Sequence, residues 1–362
     1  MLHSLPEWAY LAPLRCRIGY GDACRDQLQV LSDLGWRLRP YWMSTRQDSP
    51  EYQALGKEQS RRGLPELGGS LMHATPEHAI SVASTKYSRA ELPPPHVLVT
   101  AWETTRLPDL WVEYLQDFSA IWCPTQWQAG IFKDSGVTTP IHTVPFAMAA
   151  PPKPQGKPLC RQRYNFAPDK CYYLAIGDWG PRKALAELIG TFKQAQLRNS
   201  VLVLKVPAEQ SDHFQALALS AGLTSDKVMI LAKPLLSSDM QVLYEAADVL
   251  VSLTRGEGWN YPAMQAMFLG TPVVSTGFGA LGEWGVGGFL RVAHDLAPIP
   301  PGAQHELGPG SWGEPRWVEA ALALQSLQTP ESRAMLARRG SQVAQGLADV
   351  TRVGRAVLTA LK

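Results

Sequence analysis

Short apolar runs separated by helical periodicity constrain this chain most. In the second half the runs are Tyr172–Ile176, Val201–Val206, Val228–Leu231, Asp248–Leu253 and Pro272–Ser275. Between them, Lys183–Gln196, Phe214–Ala221, Asp239–Ala246 and Pro262–Leu269 read as helices, the first with Leu185, Leu188, Ile189 and Phe192 on one face. Strands without polar alternation are covered on both faces, and intervening helices make their sheet parallel. The first half follows the same rule. Leu14–Tyr20 is expected to be a strand despite Arg15 and Arg17, and Asp22–Leu34 a helix with Leu28, Leu31 and Leu34 aligned. Arg37–Met43, His96–Ala101, Ala120–Pro124 and Ile141–Pro145 are further expected strands, with a helix at Gln126–Ser135. Residues 44–75 are polar and Gly-rich and yield no assignment, while helical periodicity returns over 318–360. Two such patterns imply an α/β fold of two doubly wound, Rossmann-like domains facing across a cleft, with ligands held outside the carboxyl ends of the strands.

A length of 362 residues also fits two domains at about 100–200 residues each. Ala149–Pro158 holds four prolines in ten residues and reads as a linker, since proline neither continues a helix nor donates to a ladder. The expected domains are therefore 1–150 and 159–340, with 341–362 a C-terminal helix returning to the first domain. A net charge of +2 excludes histone-like or acidic-tail proteins and gives no support for wholesale coating of nucleic acid. The five cysteines, Cys16, Cys24, Cys123, Cys160 and Cys171, form no CxxC and read as free thiols in a reducing cytoplasm. Met1–Leu14 has neither a basic start nor an apolar core, and no run of 18 apolar residues exists. The expectation is a cytoplasmic chain without a membrane span, with peripheral membrane contact left open.

The densest segment is Thr254–Gln265 (TRGEGWNYPAMQ), which follows a strand and leads into a helix. Glu257 would face the ligand crevice, Gly256 and Gly258 would let backbone approach a ligand, and Pro262 fits a first helical turn. A plain strand–turn–helix with a capping glutamate is the alternative. Gly177–Lys183 (GDWGPRK) again lies between strand and helix, placing Arg182 and Lys183 at a helix N-terminus. Cations there oppose the macrodipole unless an anion such as a diphosphate compensates them; a solvated surface pair is the alternative. Lys205, inside VLVLKV near a strand's carboxyl end, is the third such feature. In the first half, Gly19-Tyr20-Gly21 reads as a turn or a weak phosphate-loop signal, and Glu103 either faces the cleft or is a surface residue. Of the 12 tryptophans, Trp102, Trp179, Trp259 and Trp312 fall in these segments, which favours binding over core packing for those four. His73 and His78 read as solvated, and no metal box, P-loop, GxSxG, HExxH or GxGxxG is present.

Leu243–Thr276 (LYEAADVLVSLTRGEGWNYPAMQAMFLGTPVVST) resembles the donor block of the retaining GT-B glycosyltransferases of family 4, the group 1 glycosyl transferases. Gly177–Leu188 resembles that family's phosphate loop, Trp312-Gly-Glu-Pro315 a downstream element of one subgroup, and Thr100–Met148 that subgroup's first-domain block. The resemblance implies a GT-B fold and transfer of a sugar from a nucleotide-diphosphate sugar to an acceptor hydroxyl, with retention and without a metal. It implies that Glu257 bonds a donor-sugar hydroxyl, that Arg182 and Lys183 hold the diphosphate, and that the backbone of Gly258, Trp259, Asn260 and Tyr261 faces the sugar. Gly19, Tyr20, Gly21, Trp179 and Lys205 would also contribute to donor binding, and Glu103 to catalysis. The family pairs its first glutamate with a second eight positions later, where this chain has Gln265; glutamine can bond the ribose but lacks the charge. No tightly bound cofactor is implied; the nucleotide sugar is a co-substrate, and the acceptor would be a saccharide or lipid-linked glycan in glycan or polysaccharide assembly. Two alternatives are glycosylation of a modified DNA base, and a non-catalytic protein that binds nucleotide sugar or glycan.

Overall fold

Fully buried strands are possible only where both sheet faces are covered, and the molecule provides two such sheets. The computed structural model describes residues 6–17, 19–43, 45, 48, 67–85, 92–146, 148–149, 154–303, 308–347 and 349–360. The chain divides into two units: Met1–Pro151 with Ile299–Gly310 and Leu347–Lys362, and Pro152–Pro298 with Ser311–Gly346. Residues 299–310, within the span expected for the second domain, thus belong to the first unit.

In the first unit the described elements run β1 (Trp8–Ala12), α1 (Gly19–Asp33), β2 (Leu38–Trp42), β3 (Ser70–His73), α2 (Pro76–Thr85) and β4 (His96–Val99). They continue through α3 (Asp109–Leu115), β5 (Ala120–Cys123), α4 (Gln126–Asp134) and β6 (Ile141–Thr143). The sheet order is β2-β1-β3-β4-β5-β6, with every neighbouring pair parallel. Leu11, Leu98, Ile121 and Phe132 anchor one face of the core beside Trp102 and Trp111. Thr125 starts α4 by accepting the Gln128 amide.

The second unit begins with α5 (Lys157–Arg163), β7 (Cys171–Ile176), α6 (Leu185–Gln194), β8 (Ser200–Lys205), α7 (Ser211–Ser220) and β9 (Val228–Leu231). It continues with α8 (Ser237–Ala246), β10 (Val249–Ser252), α9 (Tyr261–Phe268), β11 (Val273–Thr276), α10 (Leu281–Trp284) and β12 (Leu290–Val292). A hairpin of β13 (His294–Pro298) and β14 (Ser311–Pro315), then α11 (Trp317–Ser326) and α12 (Pro330–Leu347), complete it; α13 (Val350–Ala360) lies in the first unit. The main sheet is ordered β12-β11-β10-β7-β8-β9, all parallel. Alternate residues serve its two faces. Tyr173, Leu202 and Val251 pack with Leu188 and Phe192 of α6, while Leu174, Val203 and Leu250 pack with α8 and α9.

The strand expected at Leu14–Tyr20 is instead the wholly buried Trp8–Ala12; Leu14 and Arg15 form a turn and Gly19 already opens α1. Two arginines would be costly in a strand interior, and here Arg15 sits over the Trp42 ring at 4.0 Å. His73, expected to be solvated, ends β3 fully buried, with Nδ1 2.9 Å from the Tyr10 hydroxyl. Burial lowers its pKa to about 3, so the ring is neutral at physiological pH. The five cysteines are free. Of the linker, residues 150–153 lie outside the described residues.

Among the described residues of the first unit, Asp26 on α1 carries a strongly perturbed carboxyl. Burial pushes it up to about 7, Asp22 adds to that, and the Ala149 amide and Arg25 pull the other way. The folded chain therefore keeps a proton that an unfolded aspartate, at 3.8, releases. The stability this proton contributes is complete below that value and lost as pH rises through about 7. Asp26→Asn keeps a carbonyl acceptor and removes the titration. At pH 8 it is expected to melt about 2–4 °C above the unmodified chain, with the difference shrinking as pH falls and vanishing only below about pH 4. Equal melting temperatures across that range would contradict the assignment.

Candidate active site

The second sheet reverses direction between β7 and β10. From β7 the chain steps outward to β8 and β9, then returns to the other side of β7 to lay down β10, β11 and β12. This is the doubly wound order whose crevice opens at the reversal, outside the carboxyl ends of the strands. The helices after these two strands, α6 and α9, cover opposite faces. A small pocket lies there, lined by Ile176 from β7, Leu250–Ser252 from β10, Lys183, Glu257 and Asn260 from the loops that follow, and Pro262 from the first turn of α9.

Two loops build the site. After β7, Pro181–Lys183 forms one tight 3-10 turn, and Ala184 then takes a left-handed conformation (φ 51°) before α6 starts. After β10, Thr254–Asn260 runs alongside that turn: the Arg255 amide donates to the Arg182 carbonyl (2.8 Å), and the Arg182 guanidinium donates to the Gly256 carbonyl (2.7 Å). The Lys183 ammonium donates to Glu257 Oε1 at 2.7 Å, and Arg182 Nη1 lies 3.3 Å from the same oxygen. The sequence required an anion to balance these two cations, and Glu257 is one that the chain itself supplies. Burial would raise the Glu257 carboxyl, but Lys183 and Arg182, with hydrogen bonds from Lys183 and Thr254, hold it below the ordinary carboxylate range. Behind it, Gly279 (φ 80°) passes so close that a Cβ would stand 2.9 Å from the Glu257 carbonyl oxygen. Only glycine tolerates both that conformation and that approach.

Asn260 closes the loop. It too is left-handed (φ 66°), its side-chain carbonyl accepts the Ala263 amide to cap α9, and its amide donates to the Ser252 hydroxyl at 2.9 Å. Pro262 sits in the first turn of α9 as expected, and Gln265 is buried farther along it. Two cations against one carboxylate leave a net charge of +1 in the trio. An anion entering the pocket therefore meets charge already in place, while the carboxylate can accept from a neighbouring hydroxyl.

The other expected site residues divide clearly. Trp179 is 49% exposed on the loop before the turn, its ring edge-on to His213. Trp259, Trp102 and Trp312 are buried, which corrects the expectation of aromatic binding surfaces at those three positions. Trp259 stacks on Trp284 (5.1 Å) and donates to the Met264 sulfur; Trp102 packs edge-on to Trp111. Gly258 and Tyr261 are buried with the loop. Lys205 ends β8 and donates to the adjacent Val206 carbonyl (3.2 Å). In the first unit, Gly19 opens α1, Tyr20 packs edge-on to His73, and a Cβ on Gly21 would stand 2.0 Å from the Cys16 carbonyl oxygen. Glu103 follows β4 in the same unit and contributes to raising the buried Tyr20 hydroxyl. Sequence reasoning missed Thr254, which bonds Glu257, and Gly279. It also missed Arg255, which sat within the quoted motif but whose partners are distant in sequence. Among the described residues no cluster of three His, Cys, Asp or Glu side chains could hold a metal, and no helix is long and apolar enough to cross a membrane.

Residues 170–298 match the family model described as Glycosyl transferases group 1. No curated protein matches the chain. Its fold resembles that of Anabaena HepE, solved in complex with UDP and glucose, at a TM-score of 0.73 and 15% identity over 98% of this chain and 99% of that one. It also resembles sucrose-phosphate synthase from Thermosynechococcus elongatus (TM-score 0.66, 16% identity, 98% of both chains). A third likeness is to an E. coli trehalose-6-phosphate structure bound with UDP-2-fluoro glucose (0.65, 13%, 98% of both chains). The fold is GT-B.

Glu257→Gln removes the charge shared by Lys183 and Arg182. At pH 7 it is expected to destabilise the chain by about 1.5–3 kcal/mol, the worth of a hydrogen bond to a charged group. A depressed carboxylate contributes stability above its unfolded pKa of 4.5 and loses it as pH falls through the folded value. The gap between variant and unmodified chain should therefore narrow below pH 4.5 in thermal melts. A variant as stable as the unmodified chain at pH 7 would contradict the ion trio.

Proposed function

We propose that this chain, GT-B in fold and matching group 1 glycosyl transferases over residues 170–298, is a glycosyltransferase. On this reading it moves a sugar from a nucleotide-diphosphate sugar to an acceptor hydroxyl, with retention, in the assembly of a glycan or polysaccharide. The observation that carries the reading is the convergence of Lys183 and Arg182 on Glu257 beside a pocket at the sheet's reversal point. Neighbours of the same fold solved with UDP and glucose, or with UDP-2-fluoro glucose, support a donor of this class.

The chemistry follows from charge. Breaking a sugar–diphosphate bond leaves negative charge on the departing oxygens. Arg182 and Lys183, fixed in advance, stabilise that charge as it develops, which is where preorganised dipoles and cations lower a barrier most. Glu257 accepts from a donor-sugar hydroxyl and orients the ring, and the buried backbone of Gly258–Tyr261 lines the same side. Gln265 bonds the ribose as a neutral partner. We assign charge stabilisation to these two cations rather than to a metal, donor recognition to the second unit, and acceptor recognition to the first. Glu103, in the first unit, is assigned to catalysis on the family resemblance.

Lys183→Ala tests the reading directly. Incubated with a panel of UDP-, GDP- and ADP-sugars, the unmodified chain is expected to release nucleoside diphosphate from one of them. The variant should do so about 100-fold more slowly or worse. Release at the unmodified rate would remove Lys183 from the mechanism, and no release from any donor by the unmodified chain would overturn the enzymatic reading.

A further inference from the structure

A buried arginine on a ligand-facing loop ordinarily either binds the ligand or holds the loop, and Arg255 is occupied by the second task. Its guanidinium grips Glu314 of β14 with two bonds, Nε to Oε2 at 2.5 Å and Nη2 to Oε1 at 3.1 Å. Nη2 also donates to Glu187 in the first turn of α6 at 2.6 Å, and Nη1 donates to the carbonyl of Pro181. The cation lies 5.0 Å from the centre of the Trp312 ring, and Trp317 donates to Glu314 from behind at 2.9 Å. The backbone repeats the pattern: the Arg255 amide reaches the Arg182 carbonyl, and the Gly313 amide reaches the Arg255 carbonyl. One side chain thus ties the β10 loop, the 3-10 turn, the start of α6 and the β13–β14 hairpin together.

We propose that Arg255, held by Glu314, is a positioning residue that locks the Pro181–Lys183 turn so that Lys183 and Arg182 are presented to Glu257 and to an incoming diphosphate. The turn needs such a lock. It ends on Ala184 in a left-handed conformation, which a residue with a Cβ holds only when its surroundings impose it. Without Arg255, the Pro181 carbonyl loses its donor, and Glu187 and Glu314 lose the cation between them. Lysine cannot replace the arginine: a single ammonium lacks the planar fork that bonds Glu314 twice while reaching Glu187 and Pro181. The role assigned to the diphosphate rests on the function proposed above; the lock itself does not.

Two measurements on the full chain test the lock, using Arg255→Lys and Glu314→Gln. Hydrogen exchange without ligand is expected to quicken about tenfold or more over residues 181–185 in both variants, as local opening becomes easier, while β8 and β10 exchange as before. Should Arg255→Lys fail to fold, Glu314→Gln, which leaves Arg255 its bonds to Glu187 and Pro181, carries the comparison. Calorimetry then compares UDP, GDP and ADP with their parent nucleosides. For whichever diphosphate binds the unmodified chain, the variants should bind it about tenfold more weakly and the nucleoside equally. Unchanged exchange over 181–185, or unchanged diphosphate affinity, would overturn the proposal. A loosened turn in a chain that binds none of the three would support the lock and overturn the proposed function instead.

Discussion

One carboxylate oxygen of Glu257 is shared by two cations from a different loop, and the rest of the site is organised around that contact. Lys183 and Arg182 stand just ahead of α6, where the helix dipole repels positive charge. Without a nearby anion they would turn to solvent. Glu257 draws them inward and is itself kept ionised by them, so three charged groups hold one another in a largely buried place. The residual positive charge gives the pocket its chemistry: it is suited to an anion with hydroxyl groups beside it.

Sheet topology is what makes the contact possible. The two loops are 74 positions apart in sequence, yet β7 and β10 are hydrogen-bonded neighbours. Because the chain winds outward in both directions from that pair, the helices that follow them cover opposite faces, and the two loops meet at the crevice between. Asn260 and Gly279 shape it from one side, the first by capping α9 and the second by clearing space behind Glu257. Arg255 does the same from the other side by fastening the turn. The buried rings of Trp259 and Trp312 belong to this framework: the first stacks on Trp284 and the second lies against the Arg255 guanidinium.

Much of the framework was legible in the sequence because continuous apolar strands admit few arrangements. Glu257, Lys183 and Arg182 were readable from their places after strands. The clamp on Arg255 was not, since Glu314 lies on a hairpin that periodicity did not reveal. The first strand is Trp8–Ala12, and the apolar residues of Leu14–Tyr20 mimic a strand locally, so only the tertiary cover separates the two. The tryptophans misled for a related reason: proximity in sequence to a site residue says nothing of which way a ring turns. His73 reads as solvated in sequence because a polar stretch surrounds the four-residue buried strand it ends. In each case the missing information was tertiary, a partner or a cover that no local pattern encodes.

A crystal structure of the chain with a bound nucleoside diphosphate tests the central claim most directly. Phosphate oxygens are expected at about 2.7–3.2 Å from the Lys183 ammonium and the Arg182 guanidinium, with Glu257 still beside both. Phosphates held elsewhere, with the Lys183–Glu257 pair closed and untouched, would contradict it.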